Sequence, residues 1–142
     1  MENQIAIKSL LFTERNKDDI LVFEDYDKVK RQFYYRPIGG TVEFGEKTSD
    51  TLIREVMEET GEDIFIDDLL LVTENIFMLN GKPHHEIVYI YSGRFKLENL
   101  EKQNEFWITE SNGDKIKCKR IEKARFKNLE LFLVPEALLS II

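Results

Sequence analysis

The chain has 142 residues, of which 42% are hydrophobic and 33% are charged. This length and composition suit one folded domain with one core, and they exclude a disordered protein. The formal net charge of -7 disfavours broad binding to nucleic-acid phosphates, although it permits a small phosphorylated substrate whose charge a metal ion offsets.

The first third of the chain predicts strands that are separated by short polar turns. Residues 5–12 and 20–23 are rich in aliphatic side chains and predict two strands. Polar segments at residues 13–19 and 25–32 are expected to form the turns. The aromatic residues 33–35 follow, and residues 36–38 connect them to a pair of glycines.

A helix is predicted over roughly residues 49–60. Thr48, Ser49 and Asp50 are natural N-caps, and Gly61 is a natural stop one residue past the end. The residues between them include no proline or glycine, which favours an uninterrupted helix.

Three glutamates of this helix are expected to lie on one ridge. On a period of 3.6 residues, Glu55, Glu58 and Glu59 fall within about 100° of one another. Like charges at this spacing repel, so the arrangement makes sense if a divalent cation binds there. Carboxylate oxygens without a nearby thiol or paired imidazole favour Mg2+ or Mn2+ over Zn2+. The alternative is that the glutamates form only a solvated face of the helix.

A hairpin is predicted after the helix. Residues 64–79 indicate a loop and then a strand, the chain turns at residues 80–81, and residues 85–95 alternate as the return strand. The histidines at 84–85 are interpreted as turn residues, because neighbours on a strand point to opposite faces and would not share one metal ion. Glu86 is a candidate to face a substrate.

The last third predicts a polar loop, a strand and a short helix. Residues 98–115 are polar and mostly loop, and Trp107 within them is favoured as a core residue. Residues 115–121 predict a strand. Pro135 suits a first helical position and predicts a C-terminal helix after it.

The segment from Gly40 to Glu62 carries the most specific motif of the chain. It matches every fixed position of the pattern G-x5-E-x7-R-E-U-x-E-E-x-G-U, in which U is an aliphatic residue. Only the last aliphatic place departs, because Glu62 stands there and Ile64 is the nearest apolar residue. The segment resembles the Nudix box, over residues 40–62.

The resemblance implies both a fold and an activity. The fold is α/β, the Nudix α/β/α sandwich with a mixed β-sheet between helices, and residues 1–142 are expected to form a single Nudix hydrolase domain. The implied activity is cleavage of a nucleoside diphosphate linked to another moiety, by attack of a metal-activated water on phosphorus. The expected cofactor is Mg2+, with Mn2+ as an alternative, and the leading substrate classes are nucleoside triphosphates and nucleotide sugars.

The resemblance also assigns roles to the box residues. Glu58 and Glu59 match positions that usually bind metal, and Glu55 matches a position that binds metal or acts as general base. Glu46 and Arg54 match a pair that orients the metal ligands. We expect Glu55, Glu58, Arg54 and Glu46 to be the catalytic residues.

Further metal ligands are expected outside the helix. Gly40 would let the backbone come close to the metal and offer its carbonyl oxygen. In many Nudix hydrolases an acidic residue on a later loop completes the site, and Glu101 and Glu105 are the two candidates here.

Two residues just before the box are candidates for contact with the substrate, in addition to Glu86. Arg36 suits a phosphate or a terminal group, or else it is a surface arginine at a strand end. Tyr34 and Tyr35 alternate, so one faces the core and the other faces the cleft or solvent. Tyr35 is taken as the substrate-side residue.

A cytoplasmic protein is expected, because Cys118 is the single cysteine and residues 1–12 lack the features of a signal peptide. No segment has the length of a membrane span, so no membrane partner is expected. A homodimer is left open. Two other functions are also left open, namely a non-catalytic Nudix-fold module that senses a nucleotide, and an acidic interaction protein.

Overall fold

The computed structural model of the chain describes residues 3–142, and the first two residues of the predicted domain lie outside the described residues. In chain order the elements are strands β1 (Ile5–Phe12), β2 (Glu14–Arg15), β3 (Asp19–Asp27), β4 (Gln32–Arg36) and β5 (Gly39–Thr41), helix α1 (Thr48–Thr60), strands β6 (Ile64–Leu79) and β7 (Lys82–Phe95), helix α2 (Glu98–Glu101), strands β8 (Glu105–Thr109) and β9 (Lys115–Glu122), helix α3 (Lys123–Lys127) and a 3-10 helix (Glu136–Ser140).

One sheet is mixed and has the strand order β5-β1-β7-β6. Strand β1 runs parallel to β7, with Ile5 opposite His85, and antiparallel to β5, with Leu10 opposite Gly39. The predicted hairpin is confirmed as β6 and β7, whose turn residues Asn80 and Gly81 both have positive φ, of 51° and 78°. Such angles at both central residues are typical of a tight two-residue hairpin turn.

The other sheet has the order β2-β3-β9-β8, with β4 paired to the opposite end of β3. All its pairings are antiparallel. Strand β9 confirms the strand predicted at residues 115–121, and it buries Cys118 as a free thiol.

Alternating side chains divide the core into two clusters. In β1, Leu10 belongs to one cluster and Leu11 to the other, and in β3 Ile20 and Leu21 are divided in the same way. The period of two along a strand sends neighbours to opposite faces. One cluster includes Leu52 and Val56 of α1, and the other includes Phe126 of α3 and Leu138 of the 3-10 helix. The strands therefore lie between helical layers, as the predicted sandwich requires.

Helix α1 begins differently from the prediction, although its extent agrees. Lys47 is the N-cap residue and no side chain caps the helix. The hydroxyl of Thr48 instead shares a hydrogen bond of 2.6 Å with that of Tyr91, and Ser49 and Asp50 lie inside the first turn. Gly61 ends the helix in the left-handed conformation with a φ of 76°, as predicted.

Three other predictions about the later elements were wrong. Strand β6 begins at Ile64, with register shifts between Ile66 and Leu71 in place of the predicted loop. Because β7 begins at Lys82, the two histidines lie within a strand. The C-terminal helix is a 3-10 helix of 5 residues that follows Pro135 rather than including it.

The segment predicted as a polar loop contains α2 and β8. Ile108 of β8 is 1% exposed, so the alternation of the strand turns Trp107 outward, where it is 62% exposed. The ammonium of Lys117 lies 5.1 Å from the centroid of the Trp107 ring. The interpretation of Trp107 as a core residue was therefore wrong.

Among the described residues no helix is long and apolar enough to cross a membrane.

Candidate active site

A cleft of about 640 Å³ brings the box helix together with residues from both sheets. Its lining includes Lys8 of β1, Arg36 of β4, Glu55 and Glu59 of α1 and Glu86 of β7. These are charged groups from elements that are far apart in the sequence, and their convergence marks the cleft as the candidate site.

The β6–β7 hairpin forms a wall of this cleft and is tied to the turn between β3 and β4. The Asn80 side-chain oxygen accepts a hydrogen bond of 2.8 Å from the Lys28 N–H, and the Met78 carbonyl accepts one of 2.9 Å from Lys30 Nζ. His84 stacks on Phe77 with 5.1 Å between ring centroids, and both rings line the cleft. The wall is therefore partly aromatic, which suits contact with a planar group.

The pairing predicted between Glu46 and Arg54 is present in the structure. Arg54 Nε and Nη2 donate to the two carboxylate oxygens of Glu46 at 2.7 and 2.9 Å. The hydroxyl of Thr51 and the Glu43 N–H also donate to Glu46, at 2.6 and 3.2 Å. The guanidinium and these other donors lower the pKa of Glu46 to about 2, so it remains a carboxylate at neutral pH.

The same guanidinium organises two further carboxylates. Arg54 Nη1 donates to Glu55 at 3.0 Å and to Glu58 at 3.3 Å. Because Glu58 and Arg54 are four residues apart, one turn of α1 brings them together. Arg54 therefore donates hydrogen bonds to three glutamates and holds them in their relative positions.

Gly40 lies directly against the carboxyl group of Glu55. A methyl group added at Gly40 would overlap the carboxyl carbon and one oxygen of Glu55. The absence of a side chain at Gly40 is thus what allows β5 and α1 to approach each other at this point. The neighbouring Gly39 N–H lies near Glu59 and lowers its pKa slightly.

Glu59 is the most deeply placed of the box glutamates. Burial raises its pKa to about 8, and the nearby charges of Glu55, Glu110 and Glu58 add to the rise. Its Oε1 is buried and has no hydrogen-bond partner. A buried carboxyl oxygen without a partner, surrounded by other carboxylates, is the environment that a cation would relieve.

The oxygen donors of the cleft fit a hard divalent cation. Across residues 3–142 no group of three or more histidine, cysteine, aspartate or glutamate side chains is already arranged to hold a metal ion. Glu55 and Glu58 are turned toward Arg54, to which both are hydrogen-bonded. Glu58 is 54% exposed at its side chain, so it is free to change rotamer toward Glu59.

Neither Glu101 nor Glu105 joins this cluster. Glu101 accepts a hydrogen bond of 3.2 Å from the Phe95 N–H and lies 3.8 Å from the guanidinium of Arg120. Glu105 lies 3.6 Å from Lys117 on the neighbouring strand. The expected positions changed because α2 and β8 replace the predicted loop. Glu101 ends α2 and accepts from the Phe95 N–H, whereas the pairing of β8 with β9 directs Glu105 toward Lys117.

Glu110 is the later acidic residue that does line the cleft, and sequence reasoning missed it. It follows β8, and burial with the charges of Asp25 and Asp114 raises its pKa. The signal available in the sequence was the Asn112-Gly113 pair, which is typical of a tight turn. That turn would have placed Glu110 at the end of a strand.

Of the three residues predicted to contact the substrate, two line the cleft and one faces the core. Arg36 and Glu86 both line the cleft and form a buried ion pair of 2.9 Å. Tyr35 faces the core, where its hydroxyl donates to Glu24 at 2.7 Å. Tyr34 is the tyrosine of the cleft, and its hydroxyl donates to Asp25 at 3.0 Å. The predicted alternation is present, but the assignment of Tyr35 to the cleft was wrong.

Comparison with known proteins identifies the family to which the chain belongs. The family model of the NUDIX domain matches residues 3–131. The chain therefore belongs to the Nudix family and is a Nudix hydrolase. Members of this family are in general metal-dependent pyrophosphohydrolases that act on nucleotide-derived substrates.

Solved structures share the fold at low identity. A Nudix hydrolase from Nitrosomonas europaea is 15% identical, with a TM-score of 0.66 over 96% of this chain and 85% of that one. A MutT protein from Methanosarcina mazei Go1 is 18% identical, with a TM-score of 0.62 over 93% and 87% of the two chains. A hydrolase of ADP compounds is 14% identical, with a TM-score of 0.53 over 92% and 64%.

Proposed function

We propose that this protein hydrolyses a nucleoside diphosphate linked to another moiety, with Mg2+ as the metal and Mn2+ as an alternative. The observation that carries the proposal is the buried, unpartnered Oε1 of Glu59 in a cleft that Glu55 and Glu110 share. Nucleoside triphosphates and nucleotide sugars are the proposed substrate classes. Residues 1–142 are proposed to act as a single domain.

In this proposal Glu55, Glu58 and Glu59 hold the metal, together with the carbonyl of Gly40. When bound, the divalent ion neutralises phosphate charge and lowers the pKa of a coordinated water. Glu110 is proposed as the additional acidic residue in place of Glu101 and Glu105, which are engaged elsewhere.

Other roles are proposed for individual residues, namely proton acceptance, orientation of the metal ligands and contact with the substrate. Glu55 accepts a proton from the attacking water at a carboxylate oxygen, because its pKa is raised by burial and it lines the cleft. Arg54 and Glu46 hold Glu55 and Glu58 in place. The ion pair of Arg36 and Glu86 forms a substrate-facing wall.

The experiment that tests the proposal is product release from a nucleotide panel with Mg2+ or Mn2+. The panel holds canonical and oxidised nucleoside triphosphates, ADP-ribose, nucleotide sugars and dinucleoside polyphosphates. Glu58→Gln is compared with wild type, and Glu62→Gln serves as a matched control one residue beyond the helix stop. Metal-dependent cleavage that is lost only in Glu58→Gln supports the hydrolase and names its substrate class.

Other outcomes of the panel are equally informative. Full activity of Glu58→Gln contradicts the role proposed for this glutamate. Saturable binding of a nucleotide without any product points to the alternative, a non-catalytic sensor module. The presence of every box carboxylate favours the enzyme over that alternative.

We also propose that the protein is cytoplasmic and that its partner is a small molecule rather than a nucleic acid or a membrane. The buried, unpaired thiol of Cys118 and the net charge of -7 support these points. Sedimentation of the purified protein decides between a monomer and a homodimer.

A further inference from the structure

The basic residues of the cleft differ in what they already contact. Among the described residues that line it, the lysines and arginines are Lys8, Lys30 and Arg36. Arg36 forms an ion pair with Glu86, with 2.9 Å between Nη2 and Oε1, and Lys30 Nζ donates a hydrogen bond of 2.9 Å to the Met78 carbonyl. Within the described part of the chain, Lys8 is the cleft lysine that makes neither a salt bridge nor a bond to a backbone carbonyl.

Lys8 is held at one point by a neutral group. Its Nζ donates a hydrogen bond of 2.6 Å to the hydroxyl of Thr41, the residue opposite it on β5. An ammonium group has three N–H donors. One of them is therefore directed at Thr41, and two are available for a group that enters the cleft.

Charged groups of the cleft act on the Lys8 ammonium. They are Glu86 and Arg36, which form the buried ion pair, and the box glutamate Glu55. Lys8 is also partly buried, and a desolvated ammonium without an anionic partner is unfavourable. An anion bound between Lys8 and the box glutamates would remove that cost.

A phosphate group has the chemistry that this position requires. The box carboxylates do not hold a polyanion by themselves, so positive charge is needed on the opposite side of the cleft. Lysine binds phosphate as a point charge through several donors. The charge of Arg36 is already matched by Glu86 at 2.9 Å, and Lys30 bonds the Met78 carbonyl of the hairpin. Lys8 is instead bonded only to a neutral hydroxyl, and the charge of the box glutamate Glu55 acts on it.

We infer that Lys8 binds a phosphate oxygen of the substrate diphosphate, which then lies between β1 and the carboxylates of α1. The inference rests on the proposed function and adds a substrate-binding residue that lies outside the Nudix box. Lys8 would contribute to binding before the reaction, so its loss should affect affinity as well as turnover.

The test compares wild type with Lys8→Met and Lys8→Arg, and with Lys47→Met as a matched control. Lys47 is an exposed lysine at the start of α1 that does not line the cleft. Two quantities are measured in Mg2+ buffer: the Kd of inorganic pyrophosphate by calorimetry, and kcat and KM for the substrate that the panel identifies. Circular dichroism and thermal melting check that each variant is folded.

We expect Lys8→Met to weaken pyrophosphate binding and lower kcat/KM by about ten- to a hundredfold, the range for a lost charge-assisted hydrogen bond. Lys8→Arg should retain most of the affinity, and Lys47→Met should resemble wild type. Pyrophosphate affinity and KM that stay unchanged in Lys8→Met overturn the inference, even if kcat falls. It is also overturned if Lys8→Met and a second variant, Lys8→Gln, both fail to fold, because Lys8 would then be structural.

The same data separate this inference from the proposed function. A wild type that cleaves nucleotides while Lys8→Met is unimpaired contradicts only the role of Lys8. A wild type that neither cleaves any nucleotide nor binds pyrophosphate contradicts both.

Discussion

The guanidinium of Arg54 donates two hydrogen bonds, of 2.7 and 2.9 Å, to the two carboxylate oxygens of Glu46. Its remaining nitrogen reaches Glu55 at 3.0 Å. A residue in the loop before α1 is thereby connected to a glutamate of the cleft through one planar group. Only arginine offers this forked geometry, because the lysine ammonium is a point charge.

Replacement of Arg54 by lysine is therefore expected to impair catalysis more than folding. Lysine cannot bond both oxygens of Glu46 and also reach Glu55, so the carboxylates lose their relative positions. We expect kcat to fall by about 10- to 100-fold, the range for residues that orient metal ligands. Steady-state kinetics and a metal titration measure the effect.

Arg94→Lys provides the control for this substitution. Arg94 also contacts a carboxylate, that of Asp67 at 2.8 and 3.0 Å, but both side chains are exposed and neither lines the cleft. Its kinetics should match wild type. Equal activity of Arg54→Lys and Arg94→Lys would contradict an orienting role for Arg54.

The raised pKa of Glu59 predicts how the stability of the metal-free protein changes with pH. Its folded-state value of about 8 exceeds the ordinary value of 4.5, so the protonated form is favoured by folding. The contribution of this group is complete below pH 4.5 and is lost as the pH rises toward about 8. Without metal, the melting temperature of wild type should therefore fall across this range.

Glu59→Gln removes the titration while keeping the shape of the side chain. Its melting temperature without metal should depend less on pH and should exceed that of wild type at the alkaline end. Added Mg2+ should stabilise wild type more strongly at high pH and should stabilise the variant little. Parallel pH profiles for the two proteins would argue against a buried, protonated Glu59.

Two glycines of the box are expected to respond to alanine in opposite ways. Alanine at Gly40 would overlap the Glu55 carboxyl, so activity should fall while the melting temperature changes little. Gly61 has a φ of 76° and open space around it, so alanine there should cost about 1 kcal/mol of stability or more through strain. Specific activity of folded Gly61→Ala should be preserved. Melting curves and kinetics on both variants test the separation.

Adjacent residues of β8 offer a test of the corrected position of Trp107. Ile108 is 1% exposed, and Ile108→Ala should destabilise the protein by about 2–5 kcal/mol, as is usual for a buried isoleucine. Trp107→Ala should cost much less, because its ring is 62% exposed and contacts the Lys117 ammonium. Denaturant unfolding measures both. A larger loss for Trp107 than for Ile108 would reverse the assignment of the two faces.

The box helix and the hairpin were predictable because their signals are local. The spacing of Glu55, Glu58 and Glu59 fixes their common ridge, and Gly61 fixes the end of the helix. Residues 80–81 similarly determine the hairpin turn through their own backbone angles. These features need no knowledge of the rest of the chain.

The later acidic residue and the cleft tyrosine were not predictable in the same way. Whether Glu105 or Glu110 reaches the cleft depends on how β8 pairs with β9, in which Trp107 lies opposite Lys117. Glu101 belongs to α2 and is held by the Phe95 N–H. Alternation predicts that Tyr34 and Tyr35 separate, but not which side the cleft occupies. That side is decided by how β4 pairs with β3 and which of its faces is covered by the core, where Tyr35 is buried.

The division of β1 between two cores has a consequence for how the chain tolerates insertions and deletions. Leu10 and Lys8 line the cleft, whereas the residue between them, Ser9, donates to the Thr48 carbonyl at 2.8 Å on the α1 side. Adding or removing one residue within β1 would exchange these two sides from that point onward. Such a change would turn Lys8 away from the cleft and would also exchange the side chains that β1 presents to the two core clusters. Length variation in this region should therefore be confined to the turn at residues 16–18.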